Sequence, residues 1–224
     1  MNDSVRAVAS EAELLGALGP AEVDGRALIL IGGADDTEPE RLDAIRALLG
    51  VVAVYSERTG TAVVDGGTDS GVMRLIAEAR AAVHGEFLLI GVAPTGAFER
   101  PTRAGTQIEP ARDHSLIFRV PGAWFGDETS WLFAAADHLG GGSAATIVVN
   151  GGKLTFDEAH QRIAAGHPVI AVEGSGRAAD ELAGDEALRA SGRLRVIPMS
   201  VDAAGLAGAI DADWLDQGSE EASA

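Results

Sequence analysis

The sequence predicts an α/β fold, a doubly wound and mostly parallel sheet of about seven strands with helices on both faces. Three observations predict it. Short β-rich runs alternate with helical patterns from Arg26 to Ser200. The runs are apolar on both faces, a pattern expected of central strands covered on each side. Most of them end in glycine, as strand-to-helix turns in open parallel sheets often do.

In order, the runs are "RALILIGG", "TAVVDGG", "EFLLIGVAP", "HSLIFRVPG", "ATIVVNGG", "HPVIAVEGSG" and "RLRVIPMS". Val72, Leu75, Ile76, Ala79 and Val83 form one apolar stripe at helical spacing after the second run. "TEPE", Thr37 to Glu40, joins a Thr cap to a Glu three residues on, with Pro in the first turn. It predicts a helix running to about Leu49, and its role is read as purely structural. Ala97 to Asp113 has no periodicity and carries Arg100, Arg103 and Arg112, which predicts a long cationic loop of the lid or binding-loop kind. Residues 1–25 read as an N-terminal segment, 26–213 as a single domain and 214–224 as an acidic, solvated tail.

The bulk properties narrow the function. The 224 residues are 46% hydrophobic, enough to fold by burial alone. Cysteine is absent, and the five histidines lack metal-ligand spacing, so no metal and no catalytic cofactor are expected. The opening "MNDSVRAVAS" lacks the basic end and apolar run of a secretion signal, and no stretch approaches a membrane span. The expectation is a cytoplasmic protein without membrane insertion. A formal charge of −17, from 34 acidic against 17 basic residues, argues against bulk nucleic-acid binding. Any phosphate must therefore be held locally, by backbone N–H groups and a few cations.

The strand ends supply such groups. Gly32 and Gly33, Gly66, Gly67 and Gly71, Gly151 and Gly152, and Gly174 and Gly176 lie on the rim where ligands bind in open α/β sheets. In "GGTDSG" a helix begins near Asp69 or Ser70; the motif reads either as a capped tight turn or as a phosphate cradle on the helix N-terminus. In "VEGSGRAAD" Ser175 reads as the cap and Arg177 falls in the first turn, where a cation opposes the helix dipole. Its partner is either internal, Asp180 or Glu173, or a bound phosphate meeting Ser175 Oγ, the Gly176 N–H and the guanidinium. In "NGGKLTFDE" Thr155 and Glu158 have capping-box spacing, while Lys153, the only lysine, reads either as a contact to a phosphate or ribose or as a lone surface lysine. In "FGDETSW" Phe125 or Trp131 either stacks on a base or joins the core, and His114 reads as a hydrogen-bonded structural histidine.

With these residues the chain resembles the SLOG superfamily, most closely the prokaryotic relatives of the N-terminal domain of TRPM channels, the LSDAT group. The matching elements are "LILIGGADD", "VVDGGTDSGVM", "IGVAPTGAF", the His of "DHSLIFRV", "FGDETSW", "IVVNGG" and "PVIAVEGSGRAADELA". The resemblance implies a Rossmann-like sheet and binding of a nucleotide-derived ligand, with ADP-ribose and NAD-related products leading. It implies phosphate contacts at Thr68, Ser70, Gly71, Ser175, Gly176 and Arg177, and Phe125 against the ligand. Val72, Pro94, Gly96, Gly126, Glu128 and Glu173 lie in the same matched elements and complete the expected site. Channel domains tend to place an Arg about where this chain has Trp131 and Leu132, so one phosphate contact is expected to be missing. A small-molecule nucleotide is the expected partner; a homo-oligomer and a membrane effector remain open.

The wider superfamily includes LOG-type phosphoribohydrolases, and Gly151, Gly152, Thr155 and Glu158 stand in register with their P-G-G-x-G-T-x-x-E loop. Asn150 and Leu154 depart from it, and "DETSWLFAAADHL" contains no Arg. An N-glycosidase with Glu158 as its acid is therefore the second reading, and an interaction scaffold that binds nothing the third.

Overall fold

A computed structural model of the chain describes residues 4–20, 25–34, 37–99, 107–142 and 144–210. Its strands are β1 (Val5–Ala7), β2 (Ala27–Gly33), β3 (Ala62–Asp65), β4 (Leu89–Pro94), β5 (Leu116–Val120), β6 (Ala145–Asn150), β7 (Val169–Glu173) and β8 (Leu194–Pro198). The helices are α1 (Glu11–Leu18), α2 (Pro39–Thr59), α3 (Gly71–Ala82), α4 (Thr95–Glu99), α5 (Thr129–Leu139), α6 (Lys153–Ala164), α7 (Arg177–Gly184), α8 (Glu186–Ala190) and α9 (Ala203–Ala209).

All eight strands join one sheet in the order β1-β5-β4-β3-β2-β6-β7-β8, and every pairing is parallel. The seven apolar runs each supply a strand; the eighth, β1, comes from the segment ahead of them. Its three residues, Val-Arg-Ala, are only partly covered at the sheet edge beside β5, so they carry no apolar run.

Alternation along β2 explains the two layers. Leu28 and Leu30 face a core shared with Ile45, Leu48, Val52, Leu75 and Ile76 of α2 and α3. Ile29 and Ile31 face the other, shared with Leu14 of α1, Leu132 of α5, Ala159 of α6 and Leu182 of α7. Adjacent residues of an extended strand point to opposite sides, so a strand covered on both must be apolar throughout.

Three local expectations are corrected. Helix α2 is capped by position at Glu38, without a side-chain bond, and continues to Thr59 rather than stopping near Leu49. Leu49, Val52, Ala53, Tyr55 and Ser56 are all buried, and that packing carries the helix past Gly50. Thr37 does not cap it; its hydroxyl accepts a hydrogen bond from Asn150 Nδ2 at 3.1 Å. The stretch Ala97 to Asp113 is not one long loop among the described residues. Ala97–Glu99 belongs to α4, while Ala111 N–H donates to Gly67 O, Asp69 N–H donates to Glu109 O, and Thr68 bridges Pro110 antiparallel. Arg100 and Arg103, and the tail expected at 214–224, lie outside the described residues.

The chain steps outward from β2 through β3 and β4 to β5, then returns to β6 on β2's other side. The strand order thus reverses between β2 and β6, where Gly33 stands beside Asn150. Ligands of such sheets bind in the crevice at the carboxyl ends of the strands at this point.

Candidate functional site

Gly32, the penultimate residue of β2, has φ 149°, and a Cβ there would sit 1.9 Å from Val149 O. No other residue lets β2 and β6 approach so closely at their tips. On the next junction the "GGTDSG" loop folds over β4, and a Cβ on Gly91 would come 2.5 Å from the Gly67 Cα. The loop is anchored from below, because Gly67 N–H donates to Asp65 Oδ1 at 2.8 Å. Asp65 in turn pairs with His114, whose Nε2 stands 3.0 Å from the same oxygen. Burial alone would lower the His114 pKa, but the Asp65 charge and hydrogen bond, with the Arg112 carbonyl, outweigh it and raise the pKa. His114 is thus the hydrogen-bonded histidine its sequence context predicts.

Helix α3 starts at Gly71 with Ser70 at the cap position, but the Ser70 hydroxyl makes no cap bond. It lies 3.1 Å from Thr68 Oγ1 instead. Capping therefore does not account for Ser70, and its side chain supplies nothing to the first-turn amides. Val72 is fully buried in the core behind them.

The crevice has two chemically different ends. At one, a cavity of about 270 Å³ is lined by Gly32, Gly66, Thr68, Ser70, Met73, Phe125, Glu128, Leu132, Leu154, Thr155 and Glu158. Phe125 stands at its mouth, 49% exposed, whereas Trp131 packs against the core. The capping-box expectation for Thr155 and Glu158 is overturned. Helix α6 begins at Lys153 after Gly152, with no side-chain cap, so both residues lie within the helix. The Glu158 carboxylate accepts from Thr129 Oγ1 at 2.7 Å. Burial pushes its pKa up to about 7; the Thr129 bond opposes the shift, while the charges of Glu128 and Asp157 add to it. Burial also raises the pKa of Glu128, although Gly126 N–H donates to its Oε2.

At the other end, a groove of about 470 Å³ runs past Gly151, Gly152, Lys153, Phe156, Asp157, Arg177, Ala178 and Glu181. Ser175 is not the cap of α7; Gly176 is. The Ser175 hydroxyl is fully buried, accepts from Asn150 N–H at 2.8 Å and donates to Val172 O at 2.7 Å. Tertiary partners have thus taken the hydroxyl expected to meet a phosphate. Arg177 opens α7 at φ 44°, a strained conformation for a residue with a Cβ. Its Nη2 lies 3.1 Å from where a Gly152 Cβ would be. Asp180, its expected internal partner, accepts from Gly174 N–H at 2.6 Å instead. Among the described residues Arg177 has no ion pair, and Glu173 stands exposed nearby in sequence at the end of β7. Lys153 is committed to Asp157 at 2.8 Å, one turn along α6.

Pro94 and Gly96 line neither the cavity nor the groove. Each is buried, and a Cβ on Gly96 would meet Ala123 O at 2.4 Å, under the turn that leads into α5. That turn is tied by Asp127, whose carboxylate accepts from Ala123 and Trp124 N–H, bonds that lower its pKa. The fold also brings in residues that were not among the expected contacts. Arg41, in the first turn of α2, has Nη1 3.2 Å from the Cβ position of Gly176. Asn150, marked in the sequence only as a departure from proline, turns its Oδ1 to the same point. A cation in the first turn of the helix that follows a glycine-rich strand end is the signal that exposes Arg177, and it applies equally to Arg41.

A family model described as SLOG in TRPM, prokaryote, matches residues 26–217. None of the curated proteins matches the chain. Among solved structures, the X-ray structure of a Northeast Structural Genomics Consortium target, TM1055, is similar with a TM-score of 0.58 at 19% identity, over 83% of this chain and 98% of that one. The molybdenum cofactor binding protein from the phototrophic bacterium Rippkaea orientalis is similar with a TM-score of 0.56 at 14% identity, over 84% of this chain and 97% of that one. Both likenesses are likenesses of fold.

Proposed function

The chain belongs to the prokaryotic SLOG-in-TRPM family, and from that premise we propose that it binds a nucleotide-derived ligand in the crevice between β2 and β6. Phosphate groups lie against the Gly151–Gly152 and Gly174–Gly176 turns, and the base or sugar enters the cavity beside Phe125. One observation carries the reading. Arg177 holds a strained position at the positive end of α7 with no ion pair among the described residues. A cation there costs about 0.3–1 kcal/mol unless an anion sits beside it.

ADP-ribose and related NAD products are the leading candidates, on the family resemblance. The cavity of about 270 Å³ is below the span of about 300–1,000 Å³ usual for whole small-molecule sites. A dinucleotide would place one end there and extend along the groove by Arg177. The neighbour described as a cofactor-binding protein adds support for a small-molecule site on this fold. The experiment is a thermal-shift screen with ADP-ribose, NAD, AMP and cyclic nucleotides. A true ligand at 100 times its dissociation constant adds about 2.7 kcal/mol of stability, and a flat response to the whole panel sinks the reading.

A second reading, a LOG-type nucleotide N-glycosidase, is favoured by Glu158. Its carboxyl is free of capping, lies in an apolar cavity beside Glu128, and has a pKa of about 7. An acid poised near neutrality suits protonation of a leaving base. Against it, α5, Thr129–Leu139, carries no Arg to steady the phosphoribosyl group. Incubation with AMP and NAD followed by chromatography for free base separates the readings. Release of base that Glu158→Gln abolishes, without a fall in melting temperature, establishes turnover.

A further inference from the structure

We propose that Arg41, Asn150 and Arg177 form a subsite for a hydroxylated phosphate group, with the phosphate between the two guanidiniums and the hydroxyl donating to Asn150 Oδ1. The proposal rests on the reading of the crevice as a nucleotide site and states which end of the nucleotide lies where.

Three elements meet at Gly176. A methyl group there would come within 3.2 Å of both Arg41 Nη1 and Asn150 Oδ1. Arg41 sits in the first turn of the 21-residue α2 and Arg177 opens α7. Neither has an ion pair among the described residues, so each guanidinium opposes the dipole of its own helix. One bound anion relieves both.

Charge is only half of what the point requires. Asn150 is 3% exposed, and its Oδ1 is buried with no hydrogen-bond partner. Its other groups are committed, Nδ2 to Thr37 Oγ1 and the backbone N–H to Ser175 Oγ, which fixes the direction of the orphan oxygen. A buried acceptor without a donor is costly, and a fully ionised oxyanion would repel it. The ligand must bring an acceptor for the guanidiniums and a donor for the amide oxygen. A sugar phosphate carries both, an ionised phosphate and free hydroxyls a few bonds away on the ring. The Glu128 and Glu158 carboxyls line the cavity and disfavour phosphate there, so the base lies in it and the phosphoribosyl end at Gly176.

The internal alternative is that Arg41 turns onto Asn150 Oδ1 and serves the fold alone. Titration calorimetry on the full chain with ribose 5-phosphate, ribose, AMP and adenosine, beside melting of the free protein, tells them apart. The expected result is binding of ribose 5-phosphate and not ribose, and AMP tighter than adenosine. Arg41→Ala then weakens ribose 5-phosphate and AMP by about tenfold or more, Arg41→Lys restores part of the loss, and adenosine affinity and the free melting temperature stay as they were. Asn150→Asp, which neutralises the guanidiniums in place, abolishes ribose 5-phosphate binding. If AMP binds the wild type but Arg41→Ala leaves it unchanged, or its loss is matched by a fall in free melting temperature, the subsite is overturned and the nucleotide reading stands. If neither AMP, ADP-ribose nor ribose 5-phosphate binds the wild type, both fall together.

Discussion

The Asp65 carboxylate lies 3.0 Å from His114 Nε2 with both side chains fully enclosed, and the same oxygen accepts from the Gly67 N–H. A buried ion pair thus sets the height of the "GGTDSG" loop above the sheet. Removing one member leaves the other charge buried and unpaired, a loss of about 3–5 kcal/mol. Asp65→Ala is expected to destabilise by that order and to loosen amide exchange at Gly67 and Thr68, both measurable by urea unfolding and hydrogen exchange.

The raised His114 pKa gives a pH signature. A histidine whose native pKa exceeds its unfolded value of about 6.5 contributes its full stability below that value and loses it as the pH climbs through the native one. Wild type minus His114→Gln, compared by urea midpoints, is therefore expected to be largest on the acid side and to shrink with rising pH. A difference that grows with pH contradicts the pair.

For Glu158 the same sign applies to a carboxyl. Its native pKa of about 7 lies above the unfolded value of about 4.3, so its contribution is intact below the lower figure and is lost between the two. Glu158→Gln cannot ionise and still accepts from Thr129. Relative to wild type it should gain stability as the pH rises across that window and level off above it. Urea midpoints at a series of pH values provide the check.

Arg177 at φ 44° sits where a left-handed conformation costs about 1–2 kcal/mol for a residue with a Cβ. Arg177→Gly removes that strain together with an unpaired cation, so the free protein should melt at the same or a higher temperature. Nucleotide affinity should fall by about 1.5–3 kcal/mol, the range for charged hydrogen bonds. Loss of both stability and affinity would mean that the side chain serves the fold.

Gly91→Ala tests the close crossing of β4 by the loop. Its new methyl would meet the Gly67 Cα at 2.5 Å, backbone against backbone, and overpacking of this kind costs about 1–3 kcal/mol. A lowered melting temperature with weakened ligand binding is expected, since the loop that carries Thr68 and Ser70 must lift.

Three hydroxyls show where sequence reading ended. Thr37, Thr155 and Ser175 each stand at capping positions in the chain, and none caps a helix. Thr37 accepts from Asn150 Nδ2, Ser175 from Asn150 N–H, and Thr155 lies inside α6 against the cavity. Capping is a local bond of modest strength, and a partner supplied by another strand or helix displaces it. For the same reason Glu158, which has capping-box spacing in the chain, instead accepts from Thr129 across the crevice.

Chain pattern alone specifies the parallel sheet, seven of its eight strands and the glycines at their tips, because strands covered on both faces must be apolar throughout and tight βα turns need residues without a Cβ. It takes the packed structure to put β6 back beside β2, and with it to bring Arg41 Nη1, far away in the chain, to the Gly176 turn that Arg177 follows. Local pattern carries burial and backbone geometry. Which distant groups come to share one point depends on strand order, and strand order is a property of the whole packed sheet.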